Sequence, residues 1–450
     1  MVSTSDSPRR WPLASRGWII FVGGFVLREA LSFWTGQPYD MESWIRTGFQ
    51  VSQGTNPYSG FWPAVPGVSF AYPTELLPAA AYLPFWSLLL GEIYRLWDLV
   101  GGGNRFVLYF LIKQPGILAD VASSYLLYQL ARRWTSNERT ALRLLFFWAF
   151  FPYAIVITAI WGQFDSIVVV VVLFLLWARG PIERNLLYGV GILVKWLTIV
   201  FLPLEVLRER GFRRLVVLVA LAVPIALTVA VFVAEGWSVS HLAALSTSQG
   251  HGGGLGMNLA FPLSLTQAQS ALSGVPYFYS VVPFAWVPGV IAAGWVAAKW
   301  VGGDDPAAEL RALILIVTVF LLLRWGLYEQ YMLYLFAPVA LDVATFHPGR
   351  RVLLASTFGL SALYLIVNND LGLRFITPAD PGVFAYTVAL DASSGWGLAR
   401  TVALAVLAIL VTVTLIQWIR TILRDEPRPW PWLLFWWRDS ASLTPSPKTL

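Results

Sequence analysis

Apolar runs near the length of a bilayer-crossing helix alternate with short polar links along most of the chain. They fall at 17–36, 75–97, 105–133, 143–160, 166–178, 186–207, 214–234, 280–298, 311–324, 331–346, 352–368 and 398–420. About 20 apolar residues at the helical rise cover the hydrocarbon. The pattern predicts one domain over 1–450: an all-α integral membrane bundle of about 10–13 transmembrane segments. The run 311–324 is short enough to suggest a tilted or half-buried helix. Three stretches break the rhythm. Residues 37–73 are polar, aromatic and turn-rich, and predict a large first extracytoplasmic loop with a short interfacial helix at MESWIRTGFQV. Residues 235–279 predict a Gly-rich extracytoplasmic loop, and 421–450 a cytoplasmic or interfacial tail.

Composition narrows this further. The chain is 57% hydrophobic and 12% charged, whereas soluble domains carry about 25% charged residues. The net charge of +6 is concentrated in short links, around Arg132–Arg143, Arg208–Arg214, Arg350–Arg351 and Arg420–Arg428. That is the positive-inside pattern, not a nucleic-acid-binding surface. It predicts a multi-pass cell-membrane protein with both termini cytoplasmic; a monomer is expected, though nothing in the charge pattern bears on that. The chain has no cysteine, which excludes disulfides and thiolate metal sites.

Charge placement and helix count conflict if every run crosses once. Keeping the basic links at 132–143 and 179–184 on one side requires two broken hairpins, at 105–131 and 187–207, bent near Pro115 and Lys195; the alternative is that one Arg cluster lies outside, since the rule is statistical. Interrupted helices of this type occur where a polar site lies at membrane depth.

Candidate chemistry lies in a few places. Lys113 and Lys195 sit inside apolar runs, where a charge costs about 2.5–3.5 kcal/mol and needs a partner. A structural ion pair, such as Lys113 with Asp120, competes with a role in a site. Asp40 and Glu42 begin the first large loop. They share a face in extended chain and diverge on a helix. WGQFDS, with Gln163 and Asp165, reads equally as a tight turn in which the Asp caps the next helix. RWGLYEQY places Arg324, Tyr328, Glu329 and Gln330 between two apolar runs. Arg suits a phosphate through its planar fork of donors, and an interfacial anchor is the bland alternative. HGGGLG at 251–256 lacks the strand–helix setting of a nucleotide loop, and His241 and His251 lack metal-ligand spacing.

Together these stretches resemble the GT-C superfamily of membrane glycosyltransferases, most closely the polyprenyl-phosphate-sugar-dependent branch of GPI mannosyltransferase I, the dolichol-linked glucosyltransferases and their prokaryotic relatives. The resemblance rests on the Asp after the first run with GTNPY and AYPTELLP, on KQPGILAD, WGQFDSI and ILVKW, and on YEQY, across residues 17–345. The chain departs where some relatives carry a His, at RWGLYEQY, and its early acids read Asp-x-Glu, not Asp-x-Asp. The resemblance implies an inverting hexosyltransferase, mannose being the first expectation. The donor would be a polyprenyl-phosphate sugar and the acceptor lipid-linked or a glycan, at the extracytoplasmic face. It implies Asp40 as catalytic base, with Glu42, Lys113, Gln163, Asp165, Lys195, Arg324, Tyr328, Glu329 and Gln330 binding substrate. No cofactor is expected; a divalent metal is not indicated. A multi-span transporter or lipid flippase fits intramembrane charges equally well, but it predicts internal repeats and a small first loop. A non-catalytic scaffold subunit is the third alternative.

Overall fold

The computed structural model describes residues 13, 15–78, 82–178, 180–241, 256–263, 284–301 and 305–425. His251, most of the 235–279 loop and the 426–450 tail lie outside the described residues.

Helices dominate. In chain order they are α1 (Ser15–Ser32), α2 (Pro38–Ser52), α3 (Pro84–Leu99), α4 (Arg105–Thr135), α5 (Glu138–Ala149), α6 (Pro152–Ile155), α7 (Ser166–Trp177), α8 (Pro181–Val194), α9 (Leu202–Arg208), α10 (Phe212–Ala234), α11 (Trp286–Ala297), α12 (Pro306–Leu323), α13 (Leu333–Thr345), α14 (Arg351–Asn368), α15 (Pro381–Ala392) and α16 (Ser394–Arg424). A two-stranded bridge, β1 (Phe61–Trp62) with β2 (Leu77–Pro78), closes the first loop. Among the described residues, six helical segments are long and apolar enough to cross a membrane: 105–135, 138–161, 212–234, 306–323, 348–368 and 394–424. The shorter or more polar α1, α7, α11 and α13 run beside them. The protein is an all-α polytopic membrane protein.

Side-chain contacts define two ends of the bundle. At one end the Arg-rich links meet. Arg133 donates to the Trp177 carbonyl, Trp134 stacks on Phe346, Arg350 pairs with Asp342 and Asp425, and Arg184 and Arg208 share Glu309. At the opposite end lie α2, α3 and the first loop, joined to later segments through Gly36 N–H to the Phe375 carbonyl (2.8 Å) and Arg105 to the Pro378 carbonyl.

Of the two expected hairpins, one is present and the other is not. Residues 105–135 form one unbroken helix of 31 residues with Pro115 inside it. Ser166 Oγ donates to the Gly116 carbonyl at 2.6 Å, tying α7 to this helix one residue past the proline. Among the described residues, the run 75–97 holds no helix long and apolar enough to cross by itself. Its helical part, α3, lies beside α2 at the site end, with Glu92, Arg95 and Asp98 exposed and Trp86, Leu90 and Tyr94 buried. Residues 187–207 do form the expected hairpin. The backbone is extended at Lys195 (φ −156°, ψ 118°), a 3₁₀ segment Trp196–Phe201 follows, and α9 returns. Tyr188 OH reaches Glu205 at 3.1 Å and Arg184 lies 3.5 Å from Glu205, so both legs end together at the Arg-rich end. Lys195 is the tip.

Candidate active site

The first side chain is set by α2. Gln37 caps this helix, its Oε1 accepting from the Asp40 N–H (2.8 Å), and Pro38 opens it. The helix places Asp40 and Glu42 on different faces, as the helical alternative requires. Asp40 turns toward WGQFDS: Trp161 Nε1 donates to its Oδ2 at 2.6 Å and Gln163 Nε2 at 2.7 Å. Its Oδ1 has no protein partner among the described residues and is not sealed off. Glu42 turns into the loop. Its Oε1 accepts the N–H groups of Phe70 and Ala71 (2.6 and 3.0 Å), and its Oε2 accepts from Arg46 (3.2 Å). Arg46 also donates to the carbonyls of Trp62, Tyr72 and Glu75. Glu42 is therefore a buried clamp on the first loop, not a solvated acid and not a neighbour of the other site residues.

WGQFDS is held by close backbone approach. α5 and α6 run into a π-helical turn, Val156–Trp161, that ends at Gly162 with φ +100°. Glycine takes this left-handed conformation without the steric cost of a side chain. α4 packs so tightly that a Cβ on Gly116 would stand 2.8 Å from the Gln163 carbonyl. The chain beyond the turn aims Gln163 at Asp40 and Asp165 at the hairpin tip. Asp165 Oδ1 accepts from Lys195 Nζ (2.8 Å) and from Tyr334 OH. Both ion-pair partners are buried, and the Lys195 ammonium also faces the rings of Tyr331 (4.8 Å), Phe164 (5.1 Å) and Tyr82 (5.8 Å). Breaking such a pair by removing one partner strands a buried charge, at about 3–5 kcal/mol.

RWGLYEQY completes the cluster. Arg324 ends α12 and is buried under Tyr331, Phe320 and Trp196, 4.7–5.6 Å from their ring centres. Its Nη2 donates to Tyr331 OH (3.3 Å), its Nε is buried without a partner, and among the described residues no carboxylate pairs with it. Glu329 Oε1 accepts from Asn368 Nδ2 at 2.6 Å, and the Glu329 carbonyl accepts from Tyr153 OH. Tyr328 stacks edge-on against Tyr331. Gln163 Oε1, Asp165 Oδ2 and Gln330 Oε1 are buried acceptors without a donor among the described residues. Buried acceptors normally find a donor.

Burial pushes the Asp40 carboxyl above the usual aspartate range. The hydrogen bonds from Trp161 and Gln163 and the Lys195 charge oppose this shift, and the Asp165 charge adds to it. Burial likewise lifts Glu329 to about 7, against the Asn368 hydrogen bond, with the Asp40 charge adding to the rise.

The structure thus gathers Asp40, Gln163, Asp165, Lys195, Arg324, Tyr328, Glu329 and Gln330 at one end of the bundle. It does not gather Glu42 or Lys113. Lys113 Nζ is enclosed by the carbonyls of Ser32, Thr35 and Ala159 (2.6–3.0 Å) and by Thr35 Oγ1, tying the end of α1 to the π turn. Nor does Lys113 pair with Asp120, whose partners are Arg28 (2.8 Å) and Trp148 Nε1 (2.8 Å). Sequence reasoning passed over Trp161, Tyr82, Tyr334 and Asn368. Trp161 stood inside a motif read for its polar letters, and Asn368 in VNND gave a polar signal at the end of an apolar run. The described residues contain no cluster of His, Asp and Glu able to hold a metal ion.

Residues 106–324 match glycosyltransferase family 87, a little under half of the chain. The matched stretch carries Gln163, Asp165, Lys195 and Arg324; Asp40 and Glu329 lie on either side of it. No curated protein matches the chain.

Proposed function

We propose that this protein is an inverting membrane glycosyltransferase moving a hexose from a polyprenyl-phosphate donor to a lipid-linked or glycan acceptor. The family match supports a membrane glycosyltransferase in general terms; the geometry is the ground for the finer reading. The observation that carries it is one continuous chain of contacts with an acid at one end and a cation at the other. Asp40 binds Gln163, Asp165 two residues on binds Lys195, and Lys195 and Arg324 both face Tyr331.

Asp40 Oδ1 is free to take the proton of an acceptor hydroxyl. That oxygen then attacks the anomeric carbon, the carbon–oxygen bond to phosphate breaks on the opposite side, and the lipid phosphate departs with the bonding electrons. Its developing charge needs fixed positive donors. Arg324 suits this better than Lys195, since Asp165 already offsets the ammonium whereas no described acid offsets the guanidinium. Gln163, Asp165 and Gln330 supply acceptors for sugar hydroxyls, and Glu329 supplies a second carboxyl. Glu42 and Lys113 hold backbone and take no part. The positive-inside rule puts the Arg-rich end in the cytoplasm and the site at the extracytoplasmic face. A transporter reading explains Lys195 and the hairpin, but not a half-buried carboxylate with a free oxygen.

Incubating the purified full-length protein in lipid nanodiscs with mannosyl- and glucosyl-phosphoryl-polyprenol tests this reading. Transfer, with inversion at the anomeric carbon, is expected from a polyprenyl-phosphate sugar and not from a nucleotide sugar. Turnover of nucleotide sugars instead, or movement of donor across a membrane without transfer, would contradict it.

A further inference from the structure

Beside Asp40 stands an aromatic corner that the transfer step leaves unused. Tyr39, the residue before Asp40, is 41% exposed. Its ring meets Tyr72 at 90° with centroids 6.2 Å apart, and Tyr72 meets Phe384 of α15 at 4.7 Å and 65°. Tyr72 and Phe384 are half-buried. Tyr72 also has φ +51°, a left-handed backbone uncommon for a bulky residue. Such conformations persist only where the surroundings over-determine them, and they cluster at functional sites.

Here the surroundings are explicit. Glu42 holds the N–H groups of Phe70 and Ala71, and Arg46, paired with Glu42, holds the Tyr72 carbonyl at 2.8 Å. A fully buried ion pair is thus committed to fixing the backbone at Tyr72. A membrane-interface anchor needs no such constraint, because aromatic belts tolerate any residue that places a ring at headgroup depth. The two phenols also sense the base. Burial raises both above the usual tyrosine range, and the charge of Asp40 adds to each shift.

We infer that the Tyr39–Tyr72–Phe384 corner is the acceptor-binding shelf, and that the acceptor presents a pyranose ring to it. The inference rests on the transferase reading above. A hexose offers one apolar face of C–H groups to a ring and hydroxyls around its edge. Two perpendicular rings with phenolic tips match that pattern, the tips being able to donate to or accept from hydroxyls. Tyr39 immediately precedes Asp40 on α2, which keeps the shelf next to the base. A simple lipid alcohol uses none of these features.

Tyr72→Gly is the informative variant, since glycine accepts the left-handed backbone without strain and removes the ring. Tyr72→Phe keeps the ring, and Tyr39→Ala tests the other wall. With a hexosyl-phosphoryl-polyprenol donor, wild type should use alkyl hexosides as acceptors and not alkyl alcohols of equal chain length. Tyr72→Gly and Tyr39→Ala should each raise KM for the alkyl hexoside about tenfold, the loss of about 1.4 kcal/mol of binding, with donor KM unchanged. Tyr72→Phe should change acceptor KM far less. Saturation-transfer NMR with methyl mannoside and nanodisc-embedded protein reads the shelf without any donor. Signal in wild type that is lost in Tyr72→Gly supports it. If wild type transfers no sugar but this difference persists, the shelf stands and the transferase reading fails. Equal use of alcohols and hexosides, unchanged acceptor KM in both variants, or no methyl mannoside signal in wild type would overturn the shelf.

Discussion

A carboxylate works as a base only while ionised, and Asp40 ionises later than a free aspartate because burial disfavours its charge. Trp161, Gln163 and the Lys195 charge oppose that penalty without cancelling it. If Asp40 is the base, transfer is expected to decline as pH falls through its raised value and the carboxylate takes up its proton. The acid limb of kcat/KM is therefore expected above the range of an unperturbed carboxylate. Replacing Gln163 by Leu removes one of the opposing hydrogen bonds and should move that limb to still higher pH. A limb that stays in place in Gln163→Leu would detach Gln163 from the base. At this scale the motif WGQFDS drew attention to Gln163 and Asp165, but not to their partners Asp40 and Lys195, 123 and 30 positions away. The sequence was misleading for Lys113, whose ammonium donates instead to five oxygens of Ser32, Thr35 and the π turn. For Asp120 it offered Lys113 on the same helix, whereas the carboxylate pairs with Arg28, 92 positions away.

Helices and turns decide where those residues point. The hairpin with Lys195 at its tip was readable because a central Lys in an apolar run, with a basic link at each end, leaves few other arrangements. The unbroken α4 was not readable. Pro115 suggested a break, but the helix runs through it, tied to α7 by the Ser166 hydroxyl on the Gly116 carbonyl. α3 misled because its aromatic and aliphatic face is mean-hydropathy rich, while its charged face only becomes evident against α2. Tight contact between α4 and the WGQFDS segment is the most demanding joint in the site. Gly116→Ala should push the Gln163 backbone, since the clashing atom is a carbonyl oxygen and not a flexible side-chain end. Transfer is expected to fall by at least about tenfold, a misplacement cost well within what small shifts of catalytic geometry produce. Wild-type rates in a well-folded Gly116→Ala protein would show that this joint does not position the base. A second support comes from the turn after α14. Asp370, Leu371 and Gly372 all have positive φ, Asp370 pairs with Arg374, and Arg400 fixes Asn368, which holds Glu329. Phe375 of the same turn lies 5.7 Å from Trp161, the residue that holds Asp40.

The whole molecule separates two ends by side-chain chemistry. Basic links and their ion pairs occupy one, and the acid–cation cluster occupies the other, beneath the cap formed by α2, α3 and the first loop. The absence of cysteine makes this arrangement directly testable. Single cysteines at Gly60 and at Ser136 should label oppositely in intact cells, Gly60 with a membrane-impermeant maleimide and Ser136 only after permeabilisation. The same labelling at both positions would refute the assignment of ends to membrane faces. The account as a whole depends on Asp40 as the base of sugar transfer, and the most direct measurement compares purified wild type with Asp40→Asn on a polyprenyl-phosphate hexose donor and a hexoside acceptor. Asparagine keeps the shape and the acceptor oxygen for Trp161 but cannot take a proton. Transfer is predicted to fall by about 10²–10⁴-fold, the usual contribution of general-base catalysis, with unchanged expression and thermal stability; transfer by Asp40→Asn at the wild-type rate would contradict the account.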